Sequence, residues 1–341
     1  MIVSIPDSID GIQVLWQVDN IDVHATLTRP IGMGPFPAVA MVAGSGPTDR
    51  SWNSPLIPGT NGSAALLAEI LTAENFVTLR YDKRASGPNA QANIQRMLGK
   101  VSMKGHLEEL AGGVRLLANK QDVDPKRLYA LTNSEGCIHA LNYQLQAKDF
   151  PFAGLILTGA PARSVGEVAR SQIAAQLAAV AGGDALLAAY DAAMADFTAE
   201  RPVKVDESLP EPLRNMIRSV IAPHHQPFSR ELWATNPATL AADITAPVLI
   251  LIGKKDLQVD WQADGSMWET LAKDHSNFTL AYPDNANHVL KYEPKPRAQL
   301  AAAEAITTYN AEGAVLDPQV IETIVAWLND HHFQRGAHQI I

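Results

Sequence analysis

The chain has 341 residues, of which 47% are hydrophobic, and a formal net charge of −9. This length allows one large α/β domain with an insertion or two ordinary domains, with enough apolar residues for a sizeable core. The acidic balance and the lack of a lysine- or arginine-rich block argue against nucleic acid or an anionic membrane as a partner and favour a small molecule.

The N-terminal residues and the cysteine content predict a cytoplasmic protein. Residues 1–10 show no basic stretch followed by an apolar run, and no window reaches the roughly 18 apolar residues of a membrane span. The single cysteine, Cys137, cannot form an internal disulfide, which agrees with a reducing compartment. Because Cys137 falls inside a helical pattern, we interpret it as a small packing residue and not as a nucleophile.

Strand and helix patterns alternate along the chain. Residues 13–18 and 21–28 indicate a hairpin, and further apolar runs of strand length lie at residues 38–43, 76–81, 152–157, 248–252 and 277–282 and in a run that starts at Leu128. Apolar residues at helical spacing predict helices at residues 63–73, 103–119, 265–272 and 318–328. This alternation predicts an α/β fold with parallel strands joined by right-handed crossovers, in which ligands bind beyond the carboxyl ends of the strands.

The alternation stops at Pro161 and resumes near Thr245. Between them lie alanine-rich helical patterns at residues 165–197 and 212–221, with no strand pattern. A helical block inserted into such a series is most simply a cap over the carboxyl edge of the sheet. We therefore predict a core of residues 1–160 and 245–341 and a helical cap of residues 161–244.

Ser134 lies where the apolar run from Leu128 breaks into a helical pattern. A serine on a tight strand-to-helix turn projects its hydroxyl above the sheet edge, and the turn admits only small residues two positions away. Gly136 meets this need, whereas Thr132 replaces the first glycine of the usual Gly-x-Ser-x-Gly motif. A serine that caps a helix would fit the same pentapeptide, so the motif alone leaves both interpretations open.

A serine nucleophile needs a base, and the base needs a carboxylate that holds its tautomer. For a serine on this type of turn, the expected chain order is serine, acid, histidine. Asp256 follows one buried strand and His288 follows the next, which places both at the edge that carries Ser134. Taken singly, Asp256 could be a helix cap and His288 a surface histidine. Asp260 is the alternative acid.

The tetrahedral intermediate of acyl transfer also needs hydrogen-bond donors. The backbone N–H of Glu135 is one candidate, and the loop Gly44-Ser45-Gly46 is placed to supply the other from Ser45. The loop could instead cradle a phosphate, but it lacks the residues that complete a nucleotide-binding motif. No histidine, cysteine and carboxylate cluster has metal-ligand spacing, so we expect no metal and no cofactor.

Five segments in combination resemble the α/β-hydrolase superfamily: residues 43–50, 81–87, 132–136, 253–256 and 287–288. The chain is most similar to bacterial carboxylesterases and to the serine aminopeptidase-like and dienelactone hydrolase-like branches, over about residues 10 to 330. The resemblance implies an eight-stranded, mostly parallel sheet, with Ser134 as nucleophile, His288 as base and Asp256 as its orienter. It also implies that Asp49, Arg50 and Arg84 are recurrent charged residues near the site, for which we expect structural ion pairing.

The expected function is cleavage of a small carboxylic ester, with a short acyl or aryl group, through an acyl-enzyme. An aminopeptidase or amidase on the same triad is one alternative, and Asp184, Asp191 or Glu211 could then hold a free amine. A non-catalytic small-molecule receptor on the same fold is the other alternative. The oligomeric state is left open, a homodimer included.

Overall fold

The computed structural model describes residues 11–300, 309–311 and 313–334 of the chain. Residues 1–10 and 335–341, which the predicted core includes, lie outside the described residues, as do residues 301–308 and 312. In the described part eight strands form one sheet: β1 (Ile12–Val18), β2 (Ile21–Thr28), β3 (Phe36–Val42), β4 (Val77–Tyr81), β5 (Val123–Asn133), β6 (Gly154–Thr158), β7 (Val248–Leu251) and β8 (Phe278–Ala281).

Most neighbouring strands of the sheet are parallel. The order across the sheet is β1-β2-β4-β3-β5-β6-β7-β8. β1 pairs with β2 and β2 with β4 in antiparallel fashion, whereas the other five neighbouring pairs are parallel. The predicted α/β fold with a mostly parallel, eight-stranded sheet is confirmed.

The inner strands are buried because their sequences are apolar on both faces. Every residue of β6 and β7 is buried, and their sequences are Gly-Leu-Ile-Leu-Thr and Val-Leu-Ile-Leu. Strands of a parallel sheet that helices cover on both faces need such continuous apolar runs. β1 is largely exposed instead, since it forms an edge of the sheet.

Helices cover both faces of the sheet. Those in the described part are α1 (Ser63–Ala73), α2 (Ala90–Met97), α3 (Met103–Ala118), α4 (Gly136–Gln146), α5 (Val165–Leu177), α6 (Gly183–Thr198), α7 (Glu211–Ile221), α8 (Phe228–Ala234), α9 (Pro237–Ala241), α10 (Ala263–Asp274) and α11 (Pro318–Gln334). α3, α4 and α10 pack in one apolar cluster with the sheet, and α1 and α11 pack in the cluster on the other face. None of the described helices combines the length and the apolar character needed to cross a lipid bilayer.

Helices α5 to α9 occupy the segment between β6 and β7, and none of its residues, all of which are described, belongs to a strand of the sheet. α5, α6 and α7 share an apolar cluster of their own, which includes Ile173, Tyr190, Phe197 and Ile217. The chain passes from α5 to α6 through Gly182, whose φ of 74° suits glycine. The assignment of residues 161–244 to a cap stays a prediction.

Candidate active site

Ser134 lies on the turn between β5 and α4 and has a left-handed backbone, with φ of 55°. Its N–H donates to the Thr158 carbonyl at 2.9 Å, and its own carbonyl accepts from the Cys137 N–H at 2.9 Å. A Cβ at Gly136 would lie 2.5 Å from the carbonyl oxygen of Val42, the last residue of β3. The turn is thus pressed against the neighbouring strand, and only glycine fits at position 136.

Thr132 takes the place of the usual first glycine without disturbing this turn. The side chain is wholly buried, and its hydroxyl lies 3.2 Å from both the Ile156 carbonyl oxygen and Cys137 Sγ. The hydroxyl therefore has partners within the sheet and the first turn of α4. Burial raises the pKa of the Cys137 thiol to about 12, so Cys137 is a protonated packing residue at neutral pH.

The structure brings His288 and Asp256 into direct contact. His288 Nδ1 lies 2.8 Å from Asp256 Oδ2, and both side chains are almost completely buried. Asp256 Oδ1 accepts the backbone N–H groups of Gln258 and Val259 at 2.8 and 3.0 Å, which fixes the carboxylate in the turn after β7. The carboxylate accepts a hydrogen bond from Nδ1–H, which leaves the imidazole Nε2 as the basic nitrogen.

Asp260, the alternative acid, lies elsewhere. Its Oδ1 accepts hydrogen bonds from the backbone N–H groups of Gln262 and Ala263, at the start of α10, at 2.8 and 3.2 Å. Its Oδ2 faces Arg297 at 3.7 Å, and 46% of its side chain is exposed. Asp260 thus shapes the start of a helix, and Asp256 is the carboxylate beside the histidine.

Ser134 and His288 lie at the same edge of the sheet and are linked through Asn133. The Asn133 side-chain amide donates to the His288 carbonyl at 3.0 Å. A Cβ at Gly159 would lie 3.2 Å from both the His288 ring and the Asn133 amide, so the ring packs on the chain next to Thr158, the partner of Ser134. No hydrogen bond between Ser134 and His288 is found among the described residues, and such bonds are often long before substrate binds.

The two expected oxyanion donors belong to adjoining segments. A Cβ at Gly44 would lie 3.2 Å from Ser134 Cβ, so the loop that starts at Gly44 passes directly beside the serine. Within the described part of the chain, neither the Ser45 N–H nor the Glu135 N–H donates to a protein acceptor. Free N–H groups next to a nucleophile can bind a developing negative charge.

Two of the charged residues for which ion pairing was expected do form such pairs. Arg50 donates through Nε and Nη2 to Asp82 Oδ2 at 3.0 and 2.6 Å. Arg84 pairs with Glu109 at 2.7 Å, and both side chains are buried. Asp49 instead accepts two backbone N–H groups of the turn that follows it. These residues hold the loops at the sheet edge.

Sequence reasoning missed a buried polar cluster under the serine turn. Lys83 donates to the Gly44 carbonyl at 2.7 Å and to Glu135 Oε1 at 3.1 Å, and His139 Nε2 lies 3.0 Å from the same Glu135 oxygen. Two features of the sequence could have revealed this cluster. Lys83 follows β4 at the carboxyl edge, as Asp256 follows β7, and His139 is four residues from Glu135 on one helical face.

The neighbouring charges in this cluster oppose the effect of burial on the pKa of its carboxyl groups. Burial alone would raise the pKa of the Glu135 carboxyl, but the Lys83 ammonium and the His139 hydrogen bond hold that pKa well below its usual range. Burial lowers the pKa of His139 to about 4, so this imidazole is neutral at pH 7. Burial would likewise raise the pKa of the Glu109 carboxyl, but His106 and Arg84 lower that pKa to about 2.

The carboxylates suggested for amine recognition lie on exposed helix positions. Asp184 and Glu211 are exposed in the first turns of α6 and α7. Asp191 pairs with Arg170 at 2.7 Å on the surface. Among the described residues no group of three or more histidine, cysteine, aspartate or glutamate side chains could hold a metal ion. The expectation that the site uses no metal stays a prediction.

Comparison with known proteins finds sequence similarity to one protein named as an esterase and fold similarity to two others. No family model matches the chain. Esterase EstD of Thermotoga maritima is 25% identical over 312 residues, which cover 89% of this chain, and the chain spans 64% of the length of that relative. The Pyrococcus furiosus esterase Pf2001 has a similar fold, with a TM-score of 0.52 and 17% identity over 83% of this chain and 84% of that one. A thermophilic esterase from Thermogutta terrifontis matches with a TM-score of 0.52 and 18% identity, over 95% of this chain and 99% of that one.

Proposed function

We propose that this chain, which has the α/β-hydrolase fold, is a member of the α/β-hydrolase superfamily and a serine hydrolase that cleaves carboxylic esters. The observation that carries the proposal is the 2.8 Å contact between His288 and Asp256, at the sheet edge where Ser134 occupies a strand-to-helix turn. This is the arrangement that serine acyl-transfer chemistry needs. The name of the relative EstD, an esterase, supports the choice of an ester bond.

In the proposed mechanism Ser134 Oγ attacks the acyl carbon while His288 Nε2 accepts its proton. The N–H groups of Ser45 and Glu135 stabilise the oxyanion of the tetrahedral intermediate. His288 then returns the proton to the leaving alcohol, and an acyl-enzyme forms. Water activated by His288 releases the acid and restores Ser134. Asp256 holds the Nδ1–H tautomer and stabilises the imidazolium that forms in each step.

We infer a preference for esters with short acyl or aryl groups. The larger apolar side chains of α5 and α6 pack on one another, and Ile173, Leu177, Tyr190 and Phe197 are each at most 8% exposed. Side chains engaged in this way offer little surface to line a channel for a long acyl chain. A site without such a channel favours small substrates.

The test is turnover of p-nitrophenyl esters from acetate to laurate by the wild-type protein and by Ser134→Ala. We expect turnover that is highest for the short esters and that falls at least about 1,000-fold in the variant, because loss of the nucleophile removes the acyl-enzyme route. Ser266→Ala, at an exposed position of α10, is the matched control and should keep wild-type rates. Turnover that does not depend on Ser134 would contradict the proposal.

The same set of assays separates the ester-hydrolase proposal from the two alternative functions. Faster cleavage of aminoacyl-p-nitroanilides than of esters would support an aminopeptidase or amidase. Ligand binding by Ser134→Ala without any turnover by the wild-type protein would support a receptor. The exposed or paired positions of Asp184, Asp191 and Glu211 favour neither a bound amine nor a peptide substrate.

A further inference from the structure

Lys83 is a buried lysine that touches both segments that supply the proposed oxyanion donors. Only 5% of its side chain is exposed. Its ammonium donates to the Gly44 carbonyl at 2.7 Å and to Glu135 Oε1 at 3.1 Å. Gly44 precedes Ser45, and Glu135 follows Ser134. One ammonium thus joins the loop after β3 to the first residue after the serine.

The contact with Gly44 fixes the peptide unit that carries the Ser45 N–H. A trans peptide unit is planar, and its C=O and N–H point in opposite directions. Because the Gly44 carbonyl points at Lys83, the Ser45 N–H of the same unit points away from the ammonium. Rotation of this unit would break the 2.7 Å bond, so Lys83 opposes a flip that would withdraw the donor. A cation on the carbonyl also polarises the unit and strengthens its N–H as a donor.

The contact with Glu135 fixes the second donor. The Glu135 side chain is held on one oxygen by Lys83 and by His139, and it is 2% exposed. Opposing the effect of burial, these partners keep the pKa of the carboxyl low, so it remains a carboxylate that binds the ammonium firmly. Since the Glu135 side chain cannot move freely, neither can the backbone from which its N–H projects.

We propose that Lys83 is the positioning residue that holds the Ser45 and Glu135 N–H groups in the geometry that binds the oxyanion. The proposal rests on the proposed ester-hydrolase function. Lys83 touches neither substrate nor reacting atoms and acts through the two backbone segments. An oxyanion hole gains most of its effect from donors that are already oriented before reaction. Removing the ammonium should therefore weaken transition-state binding far more than substrate binding.

The first variant is Lys83→Met, which keeps the length of the side chain and removes its charge. We expect kcat to fall about 10- to 100-fold, somewhat less than when a donor itself is removed, with KM changed by less than about threefold. The inhibition constant of an aryl boronic acid, which forms a tetrahedral adduct on the serine, should rise by a similar factor. The inhibition constant of the carboxylic acid product should stay unchanged.

Two further variants separate positioning from stability. Lys83→Met leaves the Glu135 carboxylate buried without its cation, which destabilises the fold. Combining Lys83→Met with Glu135→Gln removes this unpaired charge, so we expect the melting temperature to recover while kcat stays low. Glu109→Gln is the matched control, because it breaks the adjacent buried pair with Arg84 without contacting either donor segment. It should lower the melting temperature and leave kcat unchanged.

Hydrogen exchange gives a readout that does not depend on turnover. We expect faster amide exchange in residues 43–50 for both Lys83 variants and wild-type exchange there for Glu109→Gln. Wild-type kcat in Lys83→Met, recovery of kcat in the double variant, or unchanged exchange in residues 43–50 would each overturn the proposal. Failure of the wild-type protein to cleave any ester would overturn the proposed function instead, and exchange would then decide whether Lys83 orders this loop.

Discussion

Asp256 and Asp260 are identical side chains four residues apart, and only their surroundings separate them. Asp256 is fully buried against His288, whereas Asp260 is half-exposed at the start of α10. Asp256→Asn should lower kcat about 1,000- to 10,000-fold with little change in KM, because an amide can hold the imidazole in the wrong tautomer. Steady-state kinetics with a short p-nitrophenyl ester measures both constants.

Asp260→Asn provides the comparison for this prediction. It removes the same charge at nearly the same place in the chain, but its partners are two backbone N–H groups and Arg297. We expect wild-type kinetics and a loss of stability of no more than about 1 kcal/mol. A larger kinetic loss in Asp260→Asn than in Asp256→Asn would exchange the roles of the two carboxylates.

At single residues, the sequence could predict position but not contact. The strands that precede Ser134, Asp256 and His288 have clear apolar runs in the sequence. Functional residues of a parallel sheet lie at the carboxyl ends of its strands, and this rule was enough to propose the three residues. The same rule applied to Lys83 but did not reveal its partners. Its bond to Gly44 joins residues from two loops, and no local pattern encodes which carbonyl a lysine will reach.

The serine turn is the element on which β3, β5 and α4 converge. Gly136→Ala would place a methyl group 2.5 Å from the Val42 carbonyl and 3.0 Å from that of Ala43. Both are backbone atoms of a buried segment and cannot swing aside. We expect a loss of about 2 to 3 kcal/mol in the free energy of unfolding, as for other overpacked sites, although alanine is the better helix former. Urea denaturation followed by circular dichroism measures the change.

The same displacement would push the turn away from β3, so the folded fraction of Gly136→Ala should also lose ester turnover. An unchanged midpoint of denaturation would mean that the strand and the turn can separate at little cost. That result would contradict the close packing of the turn against β3.

Helices and strands with strong apolar periodicity were predictable, and short polar ones were not. Residues 63–73 match α1 from end to end, because its apolar residues recur at helical spacing. α2 was missed because its sequence, Ala-Gln-Ala-Asn-Ile-Gln-Arg-Met, has too few apolar residues to show a period. α8 and α9 have seven and five residues, too few for a pattern to emerge. α11 extends to Gln334, beyond the predicted end at residue 328, since no glycine or proline stops it there.

The molecule as a whole buries several ionisable groups below the sheet edge, and this predicts sensitivity to acid. Burial lowers the pKa of His139 from 6.5 to about 4. Above pH 6.5 this histidine is neutral in both the folded and the unfolded chain. As the pH falls from 6.5 to 4, the unfolded chain binds a proton that the folded one does not. The free energy of unfolding should therefore fall, by on the order of 3 kcal/mol from this group alone.

At lower pH, protonation of the Glu109 carboxyl reduces the stability of the fold further. Its pKa is lowered from 4.5 to about 2, so the stability that it contributes above pH 4.5 is lost as the pH falls towards 2. Thermal melts across pH 4 to 8 test the histidine contribution. His139→Gln should flatten the loss between pH 6.5 and 4, and His224→Gln, at an exposed position, should not. Equal slopes in the wild-type protein and in His139→Gln would remove His139 as the cause.

The order of strands also bears on how the protein is made. In the proposed mechanism Ser134 is the nucleophile and His288 its base, and Ser134 leaves the ribosome long before His288. The strands β7 and β8, which complete the sheet beyond β6, are synthesised only after residues 161–244. Domains fold as their segments emerge, and long-range parallel pairing comes late. A nascent or stalled chain would thus contain the serine without a base beside it. Such a chain could not attack the esters of the cell, and reactivity would appear only in the finished molecule.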